Sequence, residues 1–245
     1  MKRFILPGIL MFCLSLTSCR QDSVINFEVP VVRDYQTDVQ VLSRFVDVDK
    51  TTGEYYINEN KRTTALSYLN DQDWLELQKV NPVNYNKYKN ELATLNRQLA
   101  EYAHNPNISK IVYSTYGGDI FVRDLGNDCS LHIEKAEGRL YSARTTRQSF
   151  VFGKGTNSQA TFNGGSSVQT TVRINSSGYY LYELICNPNG DLPVGDNSTG
   201  LILSGTDFDN STYTWISDSP NTLWNFKGTA KSVSFGTTAQ IEFSE

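Results

Sequence analysis

Few residues in this chain of 245 are equipped for chemistry. It holds two histidines, His104 and His132. The first ends a helical stretch, where a polar group complements exposed carbonyls, and the second alternates outward on a strand beside Glu134. Neither stands near a nucleophile signature, so no catalytic residue is assigned. Gly153-Lys154-Gly155-Thr156 has the outline of a phosphate-binding turn. The glycine five residues before the Gly-Lys pair is missing, however, and Gly155 occupies the place of the magnesium-binding hydroxyl. No G-x-S-x-G, H-E-x-x-H or C-x-x-C is present, so local motifs support neither hydrolase, zinc nor redox chemistry. Carboxylates brought together in space, as in glycoside hydrolysis, need no local motif and keep a hydrolase as the alternative.

Two loop clusters carry oxygen ligands of the kind calcium takes: Asn187, Asn189 and Asp191 around Gly190, and Asp207 with Asp209. The first resembles part of a calcium loop but lacks its terminal bidentate glutamate. Turn formation by Asn and Asp explains both clusters, so no metal and no cofactor is expected. Tyr213, Trp215, Trp224 and Phe226 form a possible stacking platform for sugar rings. Their alternation favours the core, because large aromatics usually fill it.

At the other end of the chain, Lys2 and Arg3 precede an apolar run from Phe4 to Leu16, which closes on Leu16-Thr17-Ser18-Cys19. The run is about 13 residues long and contains Pro7 and Gly8, short of the roughly 20 that a membrane-spanning helix needs. This arrangement resembles the signal of bacterial envelope lipoproteins, and the resemblance covers only these first 19 positions. It implies diacylglycerol on the Cys19 thiol and cleavage before it. It also implies a membrane partner reached through covalent lipid. Several acyl chains would hold the protein firmly, since each buried methylene contributes about 0.8 kcal/mol. Arg20 follows the cysteine where an inner-membrane-retained member carries aspartate, so the expected residence is the outer membrane, facing the periplasm or the exterior.

Cys13 leaves with the signal and Cys19 carries lipid, which leaves Cys129 and Cys186. Each shares strand parity with apolar neighbours, Leu131 and Ile133 for one, Leu184 and Tyr182 for the other. An exported protein meets an oxidising compartment, so a bridge between them is chemically open, its long loop contributing about 4 kcal/mol by chain entropy. Two separate buried thiols fit the same pattern.

Loss of Lys2 and Arg3 takes the net charge from −4 to about −6, with acids and bases mixed along the chain. Nucleic acid is therefore not expected as a partner, because phosphate contacts need a clustered basic face. Arg139, Arg144, Arg147 and Lys154 form the one basic run, and they read as a solvated hairpin face.

Residues 1–18 read as the signal and 19–30 as a polar tether. A mixed α/β region is expected over 31–126, with Val39–Val48 and Glu54–Ile57 as strands about a turn at Asp49–Gly53. A short helix capped by Asp71 or Asp73 passes through Trp74, Leu75 and Leu77 and stops before Asn81-Pro82. A longer one runs over about 84–103, where Tyr85, Tyr88, Leu92, Leu95, Leu99 and Tyr102 step by threes and fours along one stripe. Ile111–Ser114 and Ile120–Arg123 flank Tyr116-Gly117-Gly118-Asp119 as a hairpin. Over 127–245 helical signal gives way to short alternating runs: Ser149–Phe152, Val168–Ile174, Tyr179–Cys186, Leu201–Ser204, Tyr213–Ile216, Leu223–Phe226, and a long final strand from Val233 to Phe243.

The fold class is thus α+β. A small N-terminal α/β region with one long amphipathic helix precedes an all-β, sandwich-like region. The functional reading is an outer-membrane or cell-surface lipoprotein that binds a protein or glycan without catalysis. A polymer hydrolase using scattered carboxylates, and an assembly subunit that docks through the Tyr85–Tyr102 stripe, are the alternatives.

Overall fold

The computed structural model of the chain describes residues 33–125, 133–135, 146–153, 157–163, 167–187, 199–206, 210–218, 223–234 and 236–244. From Arg33 onward they belong to one compact unit, of mixed α+β class with a β-rich region.

Asp34 opens the first helix, α1 (Tyr35–Arg44), by accepting from the Thr37 amide at 2.8 Å and from its hydroxyl at 2.8 Å. This corrects the strand expected from Val39. A strand would turn Asp38 and Leu42 to the opposite side from Val39 and Val41, whereas the helix buries all four. Only β1 (Val46–Asp49) remains extended, and it pairs antiparallel with β2 (Glu54–Ile57) across a turn in which Gly53 has φ 73°.

The second helix, α2 (Asp71–Gln78), takes its N-cap from Asn70 in place of the expected Asp71 or Asp73. The Asn70 side chain accepts from the Gln72 and Asp73 amides, while Asp73 accepts the Asn70 amide at 2.9 Å, a reciprocal capping box. Asn81 caps α3 (Pro82–Ala103) with Pro82 in the first turn, where a missing N–H costs nothing. The helix buries Tyr88, Leu92, Leu95 and Leu99, and Tyr85 and Tyr102 pack half-buried against the same cluster.

β3 (Ile108–Thr115) and β4 (Asp119–Asp124) form the expected hairpin, with Gly117 and Gly118 both at φ 79° in its turn. β5 (Ile133–Lys135) follows, then β6 (Thr146–Gly153), β7 (Asn157–Asn163), β8 (Ser167–Asn175), β9 (Tyr180–Asn187), β10 (Thr199–Gly205), β11 (Asn210–Asp218), β12 (Leu223–Val233) and β13 (Thr238–Ser244). The expected final strand from Val233 divides between β12 and β13. Between them the Thr237 amide donates to the Ser234 carbonyl at 3.1 Å, and Gly236 takes φ 83°. Alternation continues through this turn, so periodicity alone does not reveal it.

A seven-stranded sheet runs β5-β4-β3-β10-β9-β12-β7 and a four-stranded one β11-β8-β13-β6. The larger draws strands from both sides of position 126, and β10 joins β3 in parallel. Alternation sorts its residues between two cores. Ile111, Tyr113, Leu181 and Ile202 pack with the α1 and α3 side chains, whereas Val112, Tyr180, Tyr182 and Leu203 pack with Val172, Ile174, Tyr213 and Ala239 of the smaller sheet. The helices and the second sheet therefore cover opposite faces. Full burial of side chains such as Leu95 and Leu99 contributes roughly 1.5–3 kcal/mol each.

Candidate functional site

The segment from the end of β2 to the first turns of α3 folds around one aromatic side chain, Trp74. Its helix is fixed at the start by the Asn70–Asp73 capping box, and Arg44 holds Asp73 through an ion pair of 2.7 Å. Phe45 meets the indole at 5.1 Å in a T-shaped contact, and Arg62 lies over the ring at 3.6 Å. The start of α3 is clamped by Asp38, whose fully buried carboxylate accepts from the Asn81 amide at 3.0 Å and from Asn84 Nδ2 at 2.8 Å. Arg33 and Lys79 both pair with Glu76. The Lys79 ammonium, then the Arg33 guanidinium, holds the Glu76 carboxyl below its ordinary range.

Between these fixed pieces lies an open groove of about 490 Å³. Trp74, Leu77, Val80, Pro82 and Tyr85 form its apolar lining, and Glu59, Asn60, Gln78 and Asn86 supply polar groups. The Tyr85 hydroxyl donates to Glu59 Oε1 at 3.1 Å, which fixes both groups at the mouth. Partial burial, and then Glu59, raises the Tyr85 pKa, so the phenol keeps its proton. Aromatic surface with a few convergent amides and a carboxylate suits an extended polar ligand, gripped by stacking and by hydrogen bonds.

A second groove, of about 540 Å³, follows the other flank of α3 and shares Asn86. Lys87, Asn90, Glu91, Thr94 and Gln98 line it together with Val83 and Leu95, and Tyr179 bounds it at the sheet. Lys87 lies 3.6 Å over the Tyr35 ring. Burial, then Glu91, pushes the Tyr35 phenol well up.

The residues singled out from sequence are scattered. Cys19, Cys129, His132, Asn189, Asp191, Asp207 and Asp209 lie outside the described residues, as do Lys154 and Thr156. Cys186 stands on β9 opposite Thr199 of β10 and Phe226 of β12, and Asn187 is the last residue of that strand. Among the described residues, no three His, Cys, Asp or Glu side chains gather as a metal site would require. His104 is exposed beyond the end of α3, its Nδ1 2.7 Å from the Ala100 carbonyl. The four aromatics divide between the sheets: Tyr213 and Trp215 on β11, Trp224 and Phe226 on β12. Tyr213 is 6% exposed and its hydroxyl meets that of Tyr180 at 2.6 Å, so its ring presents no stacking face to solvent. Trp74 and Tyr85 were legible only as helix-face residues. Their meeting with Glu59 and Asn60 depends on the loop of residues 58–70, which carries no periodic signal.

No family model matches this chain, and no curated protein does. Among solved structures it is similar to one of tripeptidyl peptidase 2, at 11% identity and a TM-score of 0.30. That match covers 51% of this chain and 13% of the peptidase. It is also similar to a structure described as "CBM4 structure and function", at 14% identity and a TM-score of 0.24, covering 58% of this chain and 89% of the other. At these scores neither likeness extends to a shared fold.

Proposed function

We propose that the chain is a lipid-anchored protein of the outer membrane that binds a protein segment or glycan without transforming it. Cys19 carries the lipid, residues 19–30 serve as tether, and the folded part presents the groove beside Trp74. In this reading the two sheets form a β-sandwich, and α3 is a long amphipathic helix laid along one face of it. Cofactor, metal and nucleic acid have no place in the activity.

The observation that carries the reading is the groove itself. Trp74 and Tyr85 are held in fixed orientation by Arg62, Phe45 and Glu59, with the amides of Asn60, Gln78 and Asn86 around them. Aromatic rings fixed before the ligand arrives lose little entropy on binding, which favours affinity. The stripe from Tyr88 to Leu99 faces the protein's own core, so the groove offers a partner more than that stripe does.

The test is a panel of envelope glycans and extended peptides, titrated against residues 20–245 and against Trp74→Ala. One ligand class held by the native groove, and weakened about thirtyfold or more by the substitution, is expected, since a central Trp contact contributes about 2 kcal/mol or more. Equal binding by both proteins would remove the groove from the account. Turnover of a ligand, abolished by Glu59→Gln, would replace binding with hydrolysis.

A further inference from the structure

We propose that the hairpin turn at Thr64–Ser67 is a membrane-contact tip, which seats the folded part on the lipid surface that its anchor enters. The inference rests on the reading of Cys19 as the anchor.

Two of the largest exposed apolar side chains described in the protein stand here, two positions apart: Leu66 is 82% exposed and Tyr68 81%. No charged residue occurs from Thr63 to Asn70. An adjacent aliphatic and aromatic pair without charge is the composition that settles at a bilayer interface, where Tyr places its ring among headgroups.

Four amides of the tip and its flank are already paired within the protein. The Thr64 amide donates to the Ser67 carbonyl at 2.8 Å, and the Ser67 amide to Thr64 Oγ1 at 3.0 Å. Leu66 donates to the Gly117 carbonyl at 3.0 Å, and Leu69 to the Arg62 carbonyl at 2.9 Å. Amides paired within the protein add no desolvation cost on contact with lipid. The turn is also fixed in place. It rests on Gly117, where a Cβ would come within 2.2 Å of Thr64 Oγ1, so only glycine admits this approach.

Position supplies the reason for choosing lipid as the occupant. The described fold begins at Arg33, and Gln36 in the first turn of α1 donates to the Ser177 carbonyl at 3.2 Å, just before β9. Tyr180 of β9 pairs with Gly205 of β10, which pairs with Ser114 near the end of β3. The turn after β3 contains Gly117. The chain entry and the Leu66–Tyr68 tip therefore lie at the same end of the seven-stranded sheet, separated by strands spaced about 5 Å apart. Val83, 73% exposed, lines the groove bounded by Tyr179 at this same end. Residues 20–32 can span at most about 45 Å even fully extended. A tether arriving from the bilayer at Arg33 keeps this end within reach of the surface.

The experiment is hydrogen exchange on the lipidated full chain bound to phosphatidylethanolamine–phosphatidylglycerol vesicles, compared with Cys19→Ala free in solution. Exchange over residues 63–69 should slow severalfold on vesicles while residues 104–107, at the far end of α3, stay unchanged. Leu66→Ser with Tyr68→Ser should abolish the slowing and leave vesicle pelleting and thermal midpoint as in the native protein. Unchanged exchange at 63–69 in protein that pellets with vesicles would overturn the tip while leaving the anchor intact. Slowing in concentrated Cys19→Ala without vesicles would also overturn it, by showing a second copy as the occupant. Failure of the native protein to carry lipid or to pellet would instead remove the anchor, and the tip with it.

Discussion

Arg62 lies 3.6 Å over the ring of Trp74, while Phe45 meets the same indole in a T-shaped contact at 5.1 Å. Arg62 comes from the loop after β2 and Trp74 from α2, so their contact fixes the loop against the helix as well as the indole in its orientation. A cation over Trp at a partly exposed site contributes about 0.5–1 kcal/mol. Arg62→Ala should therefore cost about that in stability by urea unfolding. It should also weaken binding at the groove by less than Trp74→Ala does, because the ring remains but is no longer held.

The Tyr55 hydroxyl joins the small β1–β2 sheet to the large one. It lies 2.9 Å from Ser204 Oγ and accepts from the Ser114 amide at 3.1 Å, with every partner buried. Burial pushes this phenol's pKa well up, so it stays neutral and able to donate. Tyr55→Phe leaves the Ser114 amide without that acceptor, at a cost of about 1–3 kcal/mol. Chemical denaturation should show the loss with unchanged far-ultraviolet dichroism.

Gly205 makes room on β10 for the ring of its cross-strand neighbour Tyr180 on β9. A Cβ at this position would lie 2.2 Å from Cζ of Tyr180, whose hydroxyl is paired with Tyr213 across the core. Gly205→Ala forces the ring aside, and such overpacking costs about 1–3 kcal/mol. A lowered thermal midpoint with altered near-ultraviolet tyrosine dichroism is the expected outcome. Gly205→Ala with Tyr180→Phe should still show strain, since the clash involves the ring as well as the hydroxyl.

Glu76 sets an acid limit on the helical layer. Lys79 and Arg33 hold its pKa below the ordinary 4.5, so its contribution is complete above that pH and is lost as pH falls through the lower folded value. Glu76→Gln should lose stability near neutrality and show a flatter decline than the native protein below about pH 4.5. Parallel curves for the two proteins across that window would remove the linkage.

The parts legible in sequence are those specified locally. The three- and four-residue steps of Tyr88, Leu92, Leu95 and Leu99 require a single helix face, and Gly117-Gly118 supplies the two positive φ angles of the β3–β4 turn. Short alternating runs likewise mark most strands of the β-rich region. Val39 and Val41 misled because β-branched residues two apart satisfy a strand pattern. Asp34, five residues before Val39, decides for helix by capping it, and Asp38 gains an interior partner in Asn84 only once α3 is in place. β13 was hidden inside one uninterrupted alternation, since the Gly236 turn preserves parity. The groove was the least legible feature. Glu59, Trp74 and Tyr85 are separated by spacings that mean nothing until α2 and α3 fold back on the loop.

Both the binding reading and the membrane-facing tip depend on Cys19. The most direct measurement is metabolic labelling with a palmitate analogue, followed by fractionation of cells producing the native protein or Cys19→Ala. The account predicts label on the native chain in the outer-membrane fraction, and an unlabelled Cys19→Ala released to the soluble fraction. Cys19→Ala that stays in the membrane, or native protein that takes up no label, would contradict it.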